Sequence, residues 1–194
     1  VLRLNKKEID RNQLVKKVNV GFVLEKPILI ERFSVEEFLE FTGFLRKMDK
    51  QIVKQRINDL CLLLDLSKEK KIENLSNGQK MKVAISAALI TNPDYLIMDE
   101  PFNGVDFKSA RIIGQILRKR VQAGASVLIT SHQYDIILEL SDRIAILKNG
   151  RIERHISKNE LISELGADPK SEFVKEKMIG LMGYDEPLRL PDWI

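Results

Sequence analysis

The sequence has a single cysteine, Cys61, set in the apolar run of residues 60–64. One thiol permits no disulfide framework, which suits a reducing compartment, and Cys61 reads as a core residue. No apolar run approaches the ~18–20 residues that a bilayer-spanning helix requires. The first residues lack the basic-then-apolar order of a secretory leader. A cytoplasmic chain is therefore expected, meeting any membrane only through a partner. Aromatics amount to 6%, and none interleave with basic residues as a nucleic-acid-binding stripe would need. The formal charge is only +4, with lysines scattered among acids, so no nucleic-acid partner is expected. Repeats and low-complexity stretches are absent. None of the ten glycines is followed by lysine, so the 194 residues hold no phosphate-cradling loop of the form G-x-x-x-x-G-K-[ST].

What is present suffices for one good core with room for a small second lobe: 44% apolar and 31% charged residues. Residues 18–24 form the clearest early strand, and Pro27 marks the loop after it. From Ser34 the period changes. Ser34 followed by Glu37 is a capping-box pattern, and Phe38, Leu39, Phe41, Phe44 and Leu45 give an apolar face at helical spacing. A second helix is expected over 50–64, with Ile52, Val53, Ile57, Leu60, Cys61 and Leu64 inward. After the turn at 91–94 the pattern becomes strand (95–99), helix (108–121), strand (126–131) and short helix from Tyr134. A hairpin follows around Asn149-Gly150. Short apolar strands alternating with helices predict a parallel sheet covered on both faces, and the helical stretch that interrupts them predicts a separate lobe.

Two stretches carry chemistry. The strand Tyr-Leu-Ile-Met ends in Asp99 and Glu100, two carboxylates at the carboxyl edge of a sheet, where open α/β folds bind ligands. Neighbouring strand residues point to opposite sides, so the two acids should do different work: Asp99 holding Mg²⁺, Glu100 polarising a water. Taken alone, the motif reads sooner as a strand with an acidic turn than as a site. Upstream, Leu75-Ser76-Asn77-Gly78-Gln79 opens a helix. Ser76 fits the N-cap, Gln79 completes a capping box, and Gly78 leaves the first turn bare so that an anion can approach its N–H groups. Taken alone, this too reads as a helix cap.

The order of the pieces is more specific than any one of them. LSNGQ, a helix of about fourteen residues, YLIMDEP, NGVD and LITSH follow one another with short gaps. Over roughly residues 1–155 the sequence strongly resembles the ATP-binding subunits of ABC transporters. The resemblance implies an α/β, P-loop NTPase-like (RecA-like) parallel sheet with a helical subdomain, the N-terminal part of the fold being absent. Residues 75–79 match the family's LSGGQ signature and 96–99 its Walker B strand. Glu100 matches the catalytic glutamate, Asp106 the D-loop aspartate and His132 the switch histidine. On the same resemblance Ser76, Asn77, Gly78 and Gln79 meet the ATP of an opposing subunit. Asp99 organises Mg²⁺, Glu100 is the general base, Asp106 helps join the two halves, and His132 senses the γ-phosphate.

The stretch VGFVLEKP resembles the family's Q-loop strand, with Glu25 where glutamine is usual; the acid would touch the Mg²⁺ and nucleotide site and alter metal contact or coupling. Glu25 with SVEEFLEF resembles the multidrug and sodium exporter branch. Asn77 stands for a signature glycine, tolerable because Asn accepts unusual backbone angles, and Phe102 replaces a common threonine. The family's Walker A loop belongs farther upstream of Glu25 than Val1 lies. Within a whole subunit these residues are expected to serve an ATPase; the 194 residues alone are expected to be inactive.

The implied partners are a second ATP-binding subunit, as homo- or heterodimer, and a separate membrane permease, with the chain peripheral on the cytoplasmic face. The expected division is a partial ATPase core over 1–33 and 92–155, a helical signature subdomain over 34–91 and a helical tail over 156–194. Two rival readings are a soluble ABC-type ATPase acting on ribosomes or DNA and a non-catalytic fragment. Fifty positions separate Glu25 from Leu75, with no heptads, which favours transport.

Overall fold

The computed structural model describes residues 3–4, 7–8 and 19–165. They fall into two compact units, Val1–Thr130 and Ser131–Ile194. The first opens with two short antiparallel strands, β1 (Arg3–Leu4) and β2 (Lys7–Glu8). The central sheet joins β3 (Val20–Val23), β4 (Tyr95–Asp99) and β5 (Ser126–Thr130) in that order, all parallel. Between β3 and β4 run α1 (Val35–Leu45), α2 (Lys50–Leu64), a 3-10 turn (Ile72–Asn74) and α3 (Asn77–Ile90); α4 (Phe107–Gln122) links β4 to β5.

The helix starts follow the sequence closely. Ser34 and Glu37 form the expected capping box, and Asp49 caps α2 by accepting from Gln51 N and Ile52 N. Five of the six inward residues expected on α2 are buried; Ile52 is the exception, at 46% exposure. The face of α1 differs more. Val35, Leu39 and Gly43 are its buried residues, while Phe44 and Leu45 face outward. Gly43 is the reason: a Cβ built there would stand 2.5 Å from Val53 Cγ2, so α2 packs directly on the glycine row. Residues at i, i+4 and i+8 then form the contact ridge, and the Phe pattern is rotated off it.

The third helix is buried almost all round, at Gly78, Met81, Lys82, Val83, Ile85, Ser86, Ala88, Leu89 and Ile90. A helix apolar on every side belongs in a core, and this one touches α1, α2 and β3. It crosses β3 at Gly21, where a Cβ would meet the Ala88 carbonyl oxygen at 2.7 Å. Its last carbonyl, Ile90 O, accepts from Arg56 of α2 at 2.6 Å.

Among the described residues one face of the sheet is better covered than the other. Val23, Leu96 and Met98 are buried, whereas Phe22, Ile97 and Leu128, aligned in register across the three strands, are exposed. β5, expected to be a buried strand, alternates between exposed and half-buried residues. Among the described residues no helix is long and apolar enough to cross a membrane.

The second unit carries α5 (Tyr134–Leu140), the antiparallel strands β6 (Arg143–Lys148) and β7 (Arg151–Ser157), and α6 (Lys158–Leu165). Asn149 and Gly150 both have positive φ, 50° and 74°, as a two-residue hairpin turn requires. Leu138, Ile144, Ile146, Ile156 and Leu161 form the core of this unit. Of the helical tail expected over 156–194, residues 166–194 lie outside the described residues.

Candidate functional site

The carboxyl edge of β4 is where the first two candidates meet. Asp99 is the last strand residue and pairs in register with Thr130, the last residue of β5. The Thr130 hydroxyl donates to Asp99 Oδ1 in a short hydrogen bond. The same hydroxyl oxygen accepts from Glu100 N at 3.2 Å, as does the Thr130 carbonyl, also at 3.2 Å. One side chain therefore holds both acids.

Glu100 is not a strand residue, contrary to the expected alternation. Its φ is +45°, in the left-handed region, which costs a non-glycine residue roughly 1–2 kcal/mol. The two bonds to Thr130 offset that cost. The acids are thus separated by a turn of the backbone, not by the pleat. After Glu100 the chain winds through two tight turns, with Asn103 N bonded to Glu100 O and Val105 N to Phe102 O, both at 3.2 Å. Phe102, which stands where threonine is common, is buried within this loop.

At the signature helix, Gln79 N donates to Ser76 Oγ at 3.2 Å and Gln79 Oε1 accepts from Ser76 N at 3.1 Å. The cap occupies a lone pair of the hydroxyl and leaves its proton available to donate. Ser76 and Asn77 are exposed and Gln79 is half-buried. Gly78 is buried, and its bareness is already used within the chain: a Cβ there would stand 2.0 Å from the Gly104 carbonyl oxygen. The space beside Gly78 expected to admit an anion is taken on this side by the backbone of the 101–106 loop.

Asp106 caps α4. Its Oδ1 accepts from Ser109 N at 2.8 Å, and its Oδ2 accepts from Ser109 Oγ at 2.7 Å and from Lys82 Nζ at 3.4 Å. The bonds from Ser109, with Lys82 adding to them, hold its carboxyl at about 2, below the ordinary 3.8. Ser109 and Lys82 belong to none of the motifs in the sequence. A lone lysine inside the apolar run of α3 was the available signal.

Glu25 is exposed two residues beyond β3, at the same edge of the sheet as Asp99. Among the described residues no group of three or more His, Cys, Asp or Glu could hold a metal ion, so Glu25, Asp99 and Glu100 do not form a cage. Mg²⁺ does not need one, since it is commonly held by one or two carboxylates with phosphates and waters. Asp99 fits that role, exposed and with Oδ1 alone committed to Thr130. His132 lies in the second unit, exposed, in the turn where Gln133 N donates to Ser131 Oγ.

Comparison with known proteins gives a consistent picture. A family model described as ABC transporter matches residues 2–103. The osmoprotectant import ATP-binding protein OsmV of Salmonella typhimurium is 31% identical over 185 residues, which cover 93% of this chain and 46% of that protein. The spermidine/putrescine import ATP-binding protein PotA of Clostridium novyi is 28% identical, covering 92% of this chain and 51% of that one. The chain thus spans about half the length of these curated relatives. A solved ATP-binding subunit of an ABC transporter superposes with a TM-score of 0.78 at 22% identity, covering 92% of this chain and 74% of the other. A dimeric ATP-binding cassette bound to ADP and Pi gives 0.69 at 24% identity, covering 80% and 72%. At such identities these two likenesses speak for the fold.

Proposed function

The chain belongs to the ABC transporter family, and from that premise we propose that it supplies the hydrolytic edge and the signature face of an ATPase that drives transport through a separate permease. The observation that carries the reading is the hold of Thr130 on both Asp99 and Glu100 at the open edge of a parallel sheet. Mg²⁺, when bound with ATP, neutralises charge on the phosphates. Asp99 is the carboxylate to hold it, and Glu25 lies at the same edge. Glu100 takes the proton of the attacking water. His132 carries over from the family as the residue that senses the γ-phosphate.

Ser76 supports the second half of the reading. Its capped hydroxyl faces solvent as a donor, suited to a phosphate oxygen of ATP held by a second subunit, with Asn77 beside it. Gly78 and Gln79 then serve by shaping this turn, and Asp106 by presenting the adjoining loop to the same partner. The ATPase core is assigned to 1–33 and 92–155, the signature subdomain to 34–91 and the tail to 156–194.

A groove of about 270 Å³ between β3, the loop after it and helices α1 and α3 suits a permease segment, with Ile28, Phe38, Thr42, Arg46 and Ala87 along it. Docking there would keep the chain peripheral on the cytoplasmic face. Cargo is chosen by the permease and forms no part of the proposal.

The 194 residues contain no Gly-Lys pair, so by themselves they are expected to show no ATP turnover. The test uses the complete protein: Glu100→Gln should retain ATP binding and lose at least about a hundredfold in turnover. Unchanged turnover in that variant would overturn the reading.

A further inference from the structure

Lysine is almost never fully buried unless it is paired, and Lys82 is 5% exposed in the middle of α3. Its ammonium donates to Ser109 Oγ at 3.2 Å and to Asp106 Oδ2 at 3.4 Å. As a cap for α4, Asp106 does not depend on it, since Ser109 N already donates to Oδ1 and Ser109 Oγ to Oδ2. An apolar side chain at position 82 would fill the same space without the cost of desolvating a charge. The lysine therefore calls for a reason beyond helix capping.

Its place on the helix supplies one. Lys82 is four residues after Gly78, so the two share a face of α3. Gly78 lies against the backbone of Gly104, and Lys82 reaches Asp106 and Ser109 just beyond. Two attachments one helical turn apart fix both the distance and the orientation of the 101–106 loop relative to the signature turn. The near end of that loop is pinned separately, by Glu100 N on Thr130.

We propose that Lys82 is a positioning residue that locks the Asp106 loop to the signature helix, so that Ser76 and Asp106 meet the partner subunit as one rigid surface. The functional half of this rests on the reading given above. Lys82 touches no nucleotide; it acts through Asp106.

The test uses the complete protein and reads two quantities: hydrogen exchange of the 101–109 amides, and ATP turnover as a function of ATP concentration. Lys82→Met keeps the stem and removes the charge. It should speed exchange in 101–109 by about tenfold or more and lower kcat by about tenfold, with KM changed less than about twofold. Lys82→Arg should recover most of both. Unchanged exchange and kcat in Lys82→Met, or an equal loss in Lys82→Arg, overturns the proposal. If Lys82→Met does not fold, Lys82→Gln, which keeps a polar head without the charge, decides: faster 101–109 exchange supports the lock and unchanged exchange removes it. Full hydrolysis by Glu100→Gln would overturn the reading of the site instead, leaving the exchange result to judge Lys82.

Discussion

Gly78 and Gly104 touch backbone to backbone: a Cβ on the first would stand 2.0 Å from the carbonyl oxygen of the second. The second glycine sits at φ +71°, a conformation that side chains resist. Each glycine is needed for a different reason, one for space and one for backbone angle.

Gly78→Ala should therefore force the loop off α3. We expect a loss of about 1–3 kcal/mol, the usual range for overpacking, read as a lower urea midpoint with an unchanged slope. A midpoint equal to that of the unsubstituted protein would mean that the loop moves aside freely.

Ser76 has two separable duties, as a cap and as an exposed hydroxyl donor. Aspartate caps helices as well as serine does but presents negative charge and no proton. Ser76→Asp should hold stability within about 0.5 kcal/mol while ATP turnover of the complete protein collapses. Ser76→Ala should lose about 1 kcal/mol of stability as well. Full turnover in Ser76→Asp would show that this face meets no phosphate.

Thr130→Val removes the hydroxyl and keeps the shape. Asp99 loses a donor and Glu100 N loses one of its two Thr130 acceptors, the Thr130 carbonyl remaining. Turnover of the complete protein is expected to fall at least about tenfold, and Thr130→Ser to restore it. Equal rates in the valine variant would assign the hydroxyl to packing.

The Asp106 carboxyl, held at about 2 against an ordinary 3.8, gives an acid-side prediction. A depressed carboxyl contributes stability that is complete above the unfolded value and lost as pH falls through the folded one. The side chain is 57% exposed, so the contribution is screened and modest. Asp106→Asn should flatten the fall in stability between about pH 4 and pH 2 and leave the slope above pH 5 unchanged. Parallel curves for the two proteins would remove Asp106 from the acid response.

Features governed by a few neighbouring residues were legible in the sequence. The capping boxes at Ser34 and Ser76, the extent of α2 and the Asn149-Gly150 turn all followed from local hydrogen bonding or backbone angles. The ordered motifs likewise led to the right family and fold. Contacts across long sequence separations were not legible. The buried face of α1 is set by Val53 pressing on Gly43. The hold of Thr130 on Asp99 and Glu100 links two strands, and the lock at Lys82 links two helices. In most of these the decisive partner lies far along the chain, where its own neighbours give no hint of it; the lysine at 82, set among apolar residues, is the exception.

The third helix is joined to its surroundings at both ends by glycine: Gly21 of β3 lies under Ala88, and Gly78 lies under Gly104. Its 14 residues span roughly 21 Å at about 1.5 Å per residue. A joint made of side chains can absorb a push by changing rotamers; a joint of backbone against backbone has no such slack. α3 is in this sense a strut with tight bearings. A displacement of the sheet at Gly21 is therefore expected to meet little rotamer slack on its way to the Gly104 end.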